Sequence, residues 1–199
     1  SKELRPRFAS YPHRYFNPSK KGGRNGTCII SKIPLQKKGV IPFEDSSNNG
    51  IFAEVKWQKK RLRIYNVHFE SFGLDRQDSL ISKSNPFKFR ELLQSTLKKQ
   101  NNQLLQFDLF QKENTNPYVI CTDLNNNAFS RSYNLLKSDR KDAFVEAGKG
   151  LGTTYWFSFF PLRIDYIFTA PEISVLSFKT FNKIEYSDHK PIMASIRIP

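Results

Sequence analysis

Four short polar islands interrupt otherwise apolar runs of this chain: Asn66-Val67-His68, Thr122-Asp123-Leu124-Asn125, Arg163-Ile164-Asp165-Tyr166 and Ser187-Asp188-His189. Together they offer carboxylates, imidazoles and carboxamides, the groups that activate water, hold a cation and stabilise charge on a phosphoryl oxygen. Phosphate ester chemistry is what that set suggests. No island is decisive alone. Asp123-Leu124-Asn125-Asn126-Asn127 is also the composition of a turn capping a strand, since Asp and Asn satisfy local backbone groups. Asp188 ahead of His189-Lys190-Pro191 reads equally as a loop, Arg163 with Asp165 as a cross-strand ion pair, and His68 as a satisfied buried histidine. Their joint occurrence favours a site.

The elements that must position these groups are mostly strands. β-branched and aromatic content predicts strands over 27–31, 51–57, 62–69, 118–121, 153–156, 164–168, 173–180 and 192–198, with Lys59-Lys60-Arg61 at a hairpin turn. The islands therefore sit at strand ends, where a rigid sheet fixes their geometry. Over 89–110, Phe89, Leu92, Leu93, Leu97, Leu104 and Leu105 recur near helical spacing and predict a long amphipathic helix. A shorter helix is predicted over 130–137. The aromatic group Tyr155, Trp156, Phe157, Phe159 and Phe160 reads as core or sandwich rim. Several strands with few helices point to an α+β sandwich with helices outside the sheets, as one domain over 1–199.

Composition is that of a globular chain: 199 residues, 38% hydrophobic and 25% charged. No run approaches the ~20 apolar residues that span a bilayer. Cys28 and Cys121 both fall in predicted buried strands and read as structural thiols rather than a disulfide or metal pair. The net charge of +14 is uneven. Residues 1–63 hold 15 Lys and Arg against Glu3, Glu44, Asp45 and Glu54, a balance of +11, leaving +3 for the rest. Lys20-Lys21-Gly22-Gly23-Arg24-Asn25-Gly26 reads as a flexible cationic loop. Such a field attracts nucleic acid, anionic headgroups or polyphosphates, or simply solubilises the surface.

In order and spacing, the four islands, the last continuing as Lys190-Pro191-Ile192, resemble the signatures of the endonuclease/exonuclease/phosphatase superfamily. Tyr11-Pro12-His13-Arg14-Tyr15 and the segment from Gly26 to Leu35 look like the loop and strand ahead of them. The resemblance implies a four-layered α/β sandwich, two packed sheets flanked by helices, and a metal-dependent hydrolase of phosphate esters. The substrate class would be nucleic acid, a phospholipid headgroup or an inositol phosphate.

Residue by residue, it implies that Asp123 orients or deprotonates the attacking water and that Asn125 donates to the phosphoryl oxygen. His189 would contact the phosphate with Asp165 fixing its tautomer, and His68 would be a second phosphate contact. Asp188 matches a metal ligand, for Mg²⁺ or Mn²⁺. Asn66, Arg163 and Thr154 are candidates for pocket or supporting roles. The chain departs from the pattern at its start, where a strand bearing Asn and a second strand ending in a metal-binding Glu are expected; Glu3 does not replace that Glu. The expectation is therefore an N-terminally incomplete domain, weak in metal binding and activity by itself, with Glu70 and Glu44 as the substitutes to examine. Some bacterial relatives carry membrane-spanning helices ahead of the domain, so a membrane association through the lost part is one expectation for its location. A non-catalytic polyanion-binding or scaffold domain of the same fold is the rival reading. A nucleic-acid module unrelated to hydrolases finds only Lys56-Trp57-Gln58-Lys59-Lys60 in its favour.

Overall fold

The computed structural model of the protein describes residues 8–18, 26–44, 46, 48–72, 86–184 and 186–199. Most of the cationic loop at 20–26, and Glu3, lie outside them. The frame is a six-stranded mixed sheet in the order β3 (Leu35–Pro42), β4 (Asn49–Trp57), β5 (Lys60–His68), β6 (Tyr118–Asp123), β10 (Asp165–Thr169) and β7 (Lys141–Asp142). β4 and β5 form a hairpin through Gln58-Lys59, closed by the pair Trp57 and Lys60. β5 and β6 run parallel, so the chain must cross over between them, and α1 (Pro86–Lys112) supplies the crossover. β10 returns antiparallel to β6.

Both faces of the central strands are covered, which explains why β6 and β10 read as short apolar runs rather than alternating ones. On one face lie α1 and α2 (Arg131–Lys137), through Leu104, Phe107, Tyr133 and Leu136. Ser130 caps α2, its Oγ accepting from the Tyr133 N–H. The buried stripe of α1 is not the predicted leucine set: Leu97 and Leu105 are exposed, while Thr96, Gln100, Gln103, Leu104, Phe107 and Gln111 face inward. On the opposite face, the hairpin of β1 (His13–Pro18) and β2 (Gly26–Ser31) lies over β4 and β5. The hairpin of β11 (Ser174–Thr180) and β12 (Ile192–Arg197) packs there too, beside α3 (Ala143–Ala147). A groove of about 530 Å³ separates the two, floored by Leu62 and Ile64 and walled by Ile33, Ile196 and Ile198. The layers make an α+β sandwich.

Some local expectations are corrected. Cys28 is exposed rather than buried, because it lies on the outer face of the β1–β2 hairpin; Cys121 is partly buried, its thiol pushed up to about 11 by burial. Both are free thiols. Among the described residues no helix is long and apolar enough to cross a membrane.

Candidate active site

The register of three adjacent strands assembles the centre. His68 is paired with Asp123 across the parallel β5 and β6, and Asp123 with Asp165 across the antiparallel β6 and β10. Side chains alternate along a strand, so directly paired residues share a face. His68, Asp123 and Asp165 therefore stand in a row at one end of the sheet, with Asn66, Cys121 and Ile167 behind them on the same face. His189 comes from the segment before β12 and pairs as an isolated bridge with Tyr155 of β8 (Tyr155–Phe157). The Lys190 N–H donates to the Thr154 carbonyl at 2.7 Å, which fixes that approach.

Each group is then oriented. His189 Nδ1 lies 2.8 Å from Asp165 Oδ2. That hydrogen bond, against the opposing effect of burial, raises the imidazole pKa to about 9 from 6.5, with the Asp165, Asp123 and Asp188 charges adding. Burial pushes the Asp165 carboxyl up, helped by Asp123 and opposed by His189. The raised pKa favours the imidazolium, in which Nδ1–H donates to Asp165 and Nε2 also carries a proton. The Thr154 Oγ accepts from the backbone N–H groups of Ile164 and Asp165 at 3.1 and 3.2 Å, clamping the start of β10.

Asp123 divides its two oxygens. Oδ1 accepts the Asn125 N–H at 2.9 Å, and Oδ2 lies 3.5 Å from His68 Nε2. Asn125 sits in a turn with φ of +54° and donates through Nδ2 to the Phe69 carbonyl at 3.1 Å, tying the ends of β5 and β6 together. Its other amide hydrogen has no partner among the described residues. Asn66, behind His68, donates to the Cys28 carbonyl at 2.9 Å and so joins β5 to the facing hairpin.

Arg163 goes elsewhere. Its Nη1 is 2.6 Å from Asp142 Oδ2, and its guanidinium is enclosed by the rings of Tyr133, Phe144 and Tyr166. It supports the core beside the site and pairs with Asp142 rather than Asp165. Glu70 is also committed, accepting from Ser46, Asn48 and Gln103, and Lys99 lies 3.9 Å away. Glu44 stands beside α1, its N–H donating to Gln106.

Among the described residues, Asp123, Asp165 and His189 form the one group of three whose ligand atoms lie within 4.8 Å of one another. Its oxygen donors fit a hard cation, whereas a protonated His189 cannot ligate. Asp188 is exposed, stands outside that group and accepts from the Ser187 hydroxyl at 3.2 Å.

Two buried glutamines were missed by the sequence reading. Gln100 Nε2 donates to the carbonyls of Glu70 and Leu124 at 2.6 and 3.2 Å, and Gln103 receives the Glu70 N–H at 2.8 Å. They hold the chain just beyond His68 and Asp123. Their spacing with Thr96, Leu104 and Phe107, at three and four residues, was the available signal. The aromatic group also departs from expectation: Trp156, Phe159 and Phe160 are exposed, because β8 and β9 (Phe160–Leu162) form a two-stranded hairpin that no strand or helix of the described residues covers.

A sequence profile of the Endonuclease/Exonuclease/phosphatase family matches residues 2–189. The chain belongs to that family. Solved structures with the same fold include an endonuclease/exonuclease/phosphatase protein from Bacteroides vulgatus, at TM-score 0.76 and 16% identity over 100% of this chain and 80% of that one. A mannosyl-6-phosphatase from Bacteroides thetaiotaomicron superposes at TM-score 0.71 with 15% identity, covering 99% and 82% of the two chains. TDP2 from D. rerio, complexed with a single-strand DNA product, superposes at 0.69 with 17% identity over 98% and 80%. A comparison with curated protein sequences found no match.

Proposed function

We propose that this domain is a metal-dependent phosphoesterase that hydrolyses phosphate esters at the centre formed by His68, Asp123, Asp165 and His189. The observation that carries the reading is the Asp165–His189 pair, 2.8 Å apart, which sets an imidazole beside a second carboxylate, Asp123. His189 Nε2–H donates to a phosphoryl oxygen, and charge developing there in the transition state strengthens that bond. Asp123 Oδ2, its direction set by the turn that uses Oδ1, orients the attacking water and accepts its proton as the water oxygen bonds to phosphorus and the ester P–O bond breaks, the leaving alkoxide taking a proton from solvent. His68 and the remaining amide hydrogen of Asn125 contact the same phosphate. Asn66 and Thr154 position these groups. Asp165, from the compact group, and the exposed Asp188, next to His189 in the chain, would supply carboxylate oxygens to Mg²⁺ or Mn²⁺, which would neutralise charge on phosphoryl oxygens.

Nucleic acid, phospholipid headgroups and inositol phosphates share the required phosphate. Relatives whose names mention a sugar phosphatase and a DNA product support the ester class without choosing among its members. The test is hydrolysis of bis-p-nitrophenyl phosphate and p-nitrophenyl phosphate with Mg²⁺ or Mn²⁺. His189→Ala and Asp123→Asn should each lower turnover about a hundredfold or more while leaving circular dichroism unchanged. Wild-type rates in either folded variant would refute the assignment. Tight phosphate-ester binding without any turnover would favour a scaffold domain.

A further inference from the structure

The β8–β9 hairpin is fixed to the site at its base, and among the described residues nothing covers its outer side chains. Tyr155 pairs with His189, their rings 5.0 Å apart. Beyond that point Trp156 is 54% exposed, Phe160 68% and Phe159 89%. Ser158, with φ of +55°, and Phe159 make the connection between the strands, so Phe159 stands at the tip. Leu151, 78% exposed, lies on the approach to the hairpin, and with Trp156 it lines a groove of about 1180 Å³. Lys149, Lys179 and Lys190 line the same groove, Lys190 also donating to the Ile184 carbonyl.

We propose that this hairpin docks the protein onto an anionic lipid bilayer. Trp156, Phe159 and Phe160 enter the headgroup level, and the lysines behind them meet lipid phosphates. A cluster of exposed aromatic side chains is unusual on a soluble surface and marks a contact site, and amphipathic rings such as Trp sit favourably at a membrane interface. Lysines near an anionic leaflet add attraction, and the net charge of +14 extends it to longer range. A single-stranded nucleic acid fits less well. Stacking platforms interleave aromatic residues with Lys and Arg, whereas Ser158-Phe159-Phe160-Pro161-Leu162 carries no cation and Leu151 offers no ring face. Docking is a binding property and goes beyond the catalytic reading. Where both hold, the Asp165–His189 pair faces headgroup phosphates.

Sedimentation with phosphatidylcholine vesicles containing about one-third phosphatidylserine, compared with phosphatidylcholine alone, tests the proposal. Binding to the anionic vesicles should exceed the neutral ones about tenfold, and Phe159→Ser/Phe160→Ser should lower it about tenfold. These side chains are exposed, so melting temperature and hydrolysis of soluble esters should not change. Lys149→Gln/Lys179→Gln should weaken the dependence on salt. In a Trp57→Phe variant Trp156 is the sole tryptophan, and its emission should shift to the blue on vesicles. His189→Ala should bind vesicles like wild type, which separates this proposal from the catalytic one. Equal vesicle binding by the double Ser variant, or none by wild type, would overturn it. Loss of oligothymidylate binding in that variant with vesicle binding intact would assign the hairpin to nucleic acid instead.

Discussion

Arg163→Met should destabilise the fold by about 3–5 kcal/mol while leaving turnover per folded molecule within a few-fold of wild type. The magnitude follows from what the guanidinium leaves behind. Its Nη1 is 2.6 Å from Asp142 Oδ2, with side-chain exposures of 10% for Arg163 and 1% for Asp142. Asp142 keeps two neutral donors, the Tyr133 hydroxyl at 2.8 Å and the Phe144 N–H at 2.9 Å, so its charge would be buried without a counter-ion. Loss of the cation from the ring faces of Phe144 and Tyr166, each 4.6 Å away, adds to the cost. Methionine restores part of the stem's packing and none of the charge. For a chain of this size the melting temperature should fall on the order of 10 °C. Urea titration of the single variant, of Asp142→Asn and of the double variant gives the test. The double variant should cost clearly less than the two singles together, since the groups are in direct contact. An unchanged urea midpoint with a hundredfold loss of turnover would refute the reasoning and put the guanidinium on the substrate.

The pairing of His189 predicts a pH dependence. Its folded pKa of about 9 exceeds the ordinary 6.5, so its stabilising contribution, up to about 3 kcal/mol, is fully present below pH 6.5 and fades as pH rises through 9. Asp165→Asn should return the His189 ring titration, followed by NMR, towards 6.5 and abolish that alkaline loss; an unmoved titration would contradict it. Gln100→Leu removes the donor to two strand-end carbonyls and the acceptor for Asn126 and Ser132, and should cost about 3 kcal/mol by thermal melting. It should also lower kcat more than it raises KM. Gly152→Ala places a methyl group 2.5 Å from the Phe144 ring at a φ of +64°, and should cost about 1–3 kcal/mol in urea unfolding.

The parts of the fold legible in the sequence are those whose signal is local. β5, β6 and β10 each combine an apolar run with a polar end, and both properties survive without knowing the neighbours. β3 was missed because it is an edge strand: Lys37-Lys38-Gly39 lies at its register shift, where pairing and burial are weak. β1 carries Arg14, Asn17 and Pro18 and shows no alternation to read. The destination of Arg163 depends on Tyr133 and Phe144, which α2 and α3 bring from about twenty to thirty residues away, so its neighbour Asp165 looked the better partner. Gln100 and Gln103 interrupt an apolar pattern because what they bury against is not apolar. They meet backbone groups at Glu70 and Leu124 that the strands have stopped pairing.

The strand-capping geometry of Asp123 is compatible with the catalytic role proposed for it. A carboxylate in a loose loop could turn either oxygen to solvent. Here Oδ1 is held by the Asn125 N–H, and Asn125 in turn grips the Phe69 carbonyl beyond His68, so the same turn fixes Oδ2 towards the imidazole and sets the spacing of the two strand ends. Asp165 is divided likewise, with Oδ2 taken by His189 and its backbone N–H by Thr154. In each case an interaction that satisfies the local chain restricts a charged group to one orientation before any ligand arrives. If the proposed reaction takes place here, that restriction is the kind of preorganisation on which electrostatic stabilisation of a transition state depends.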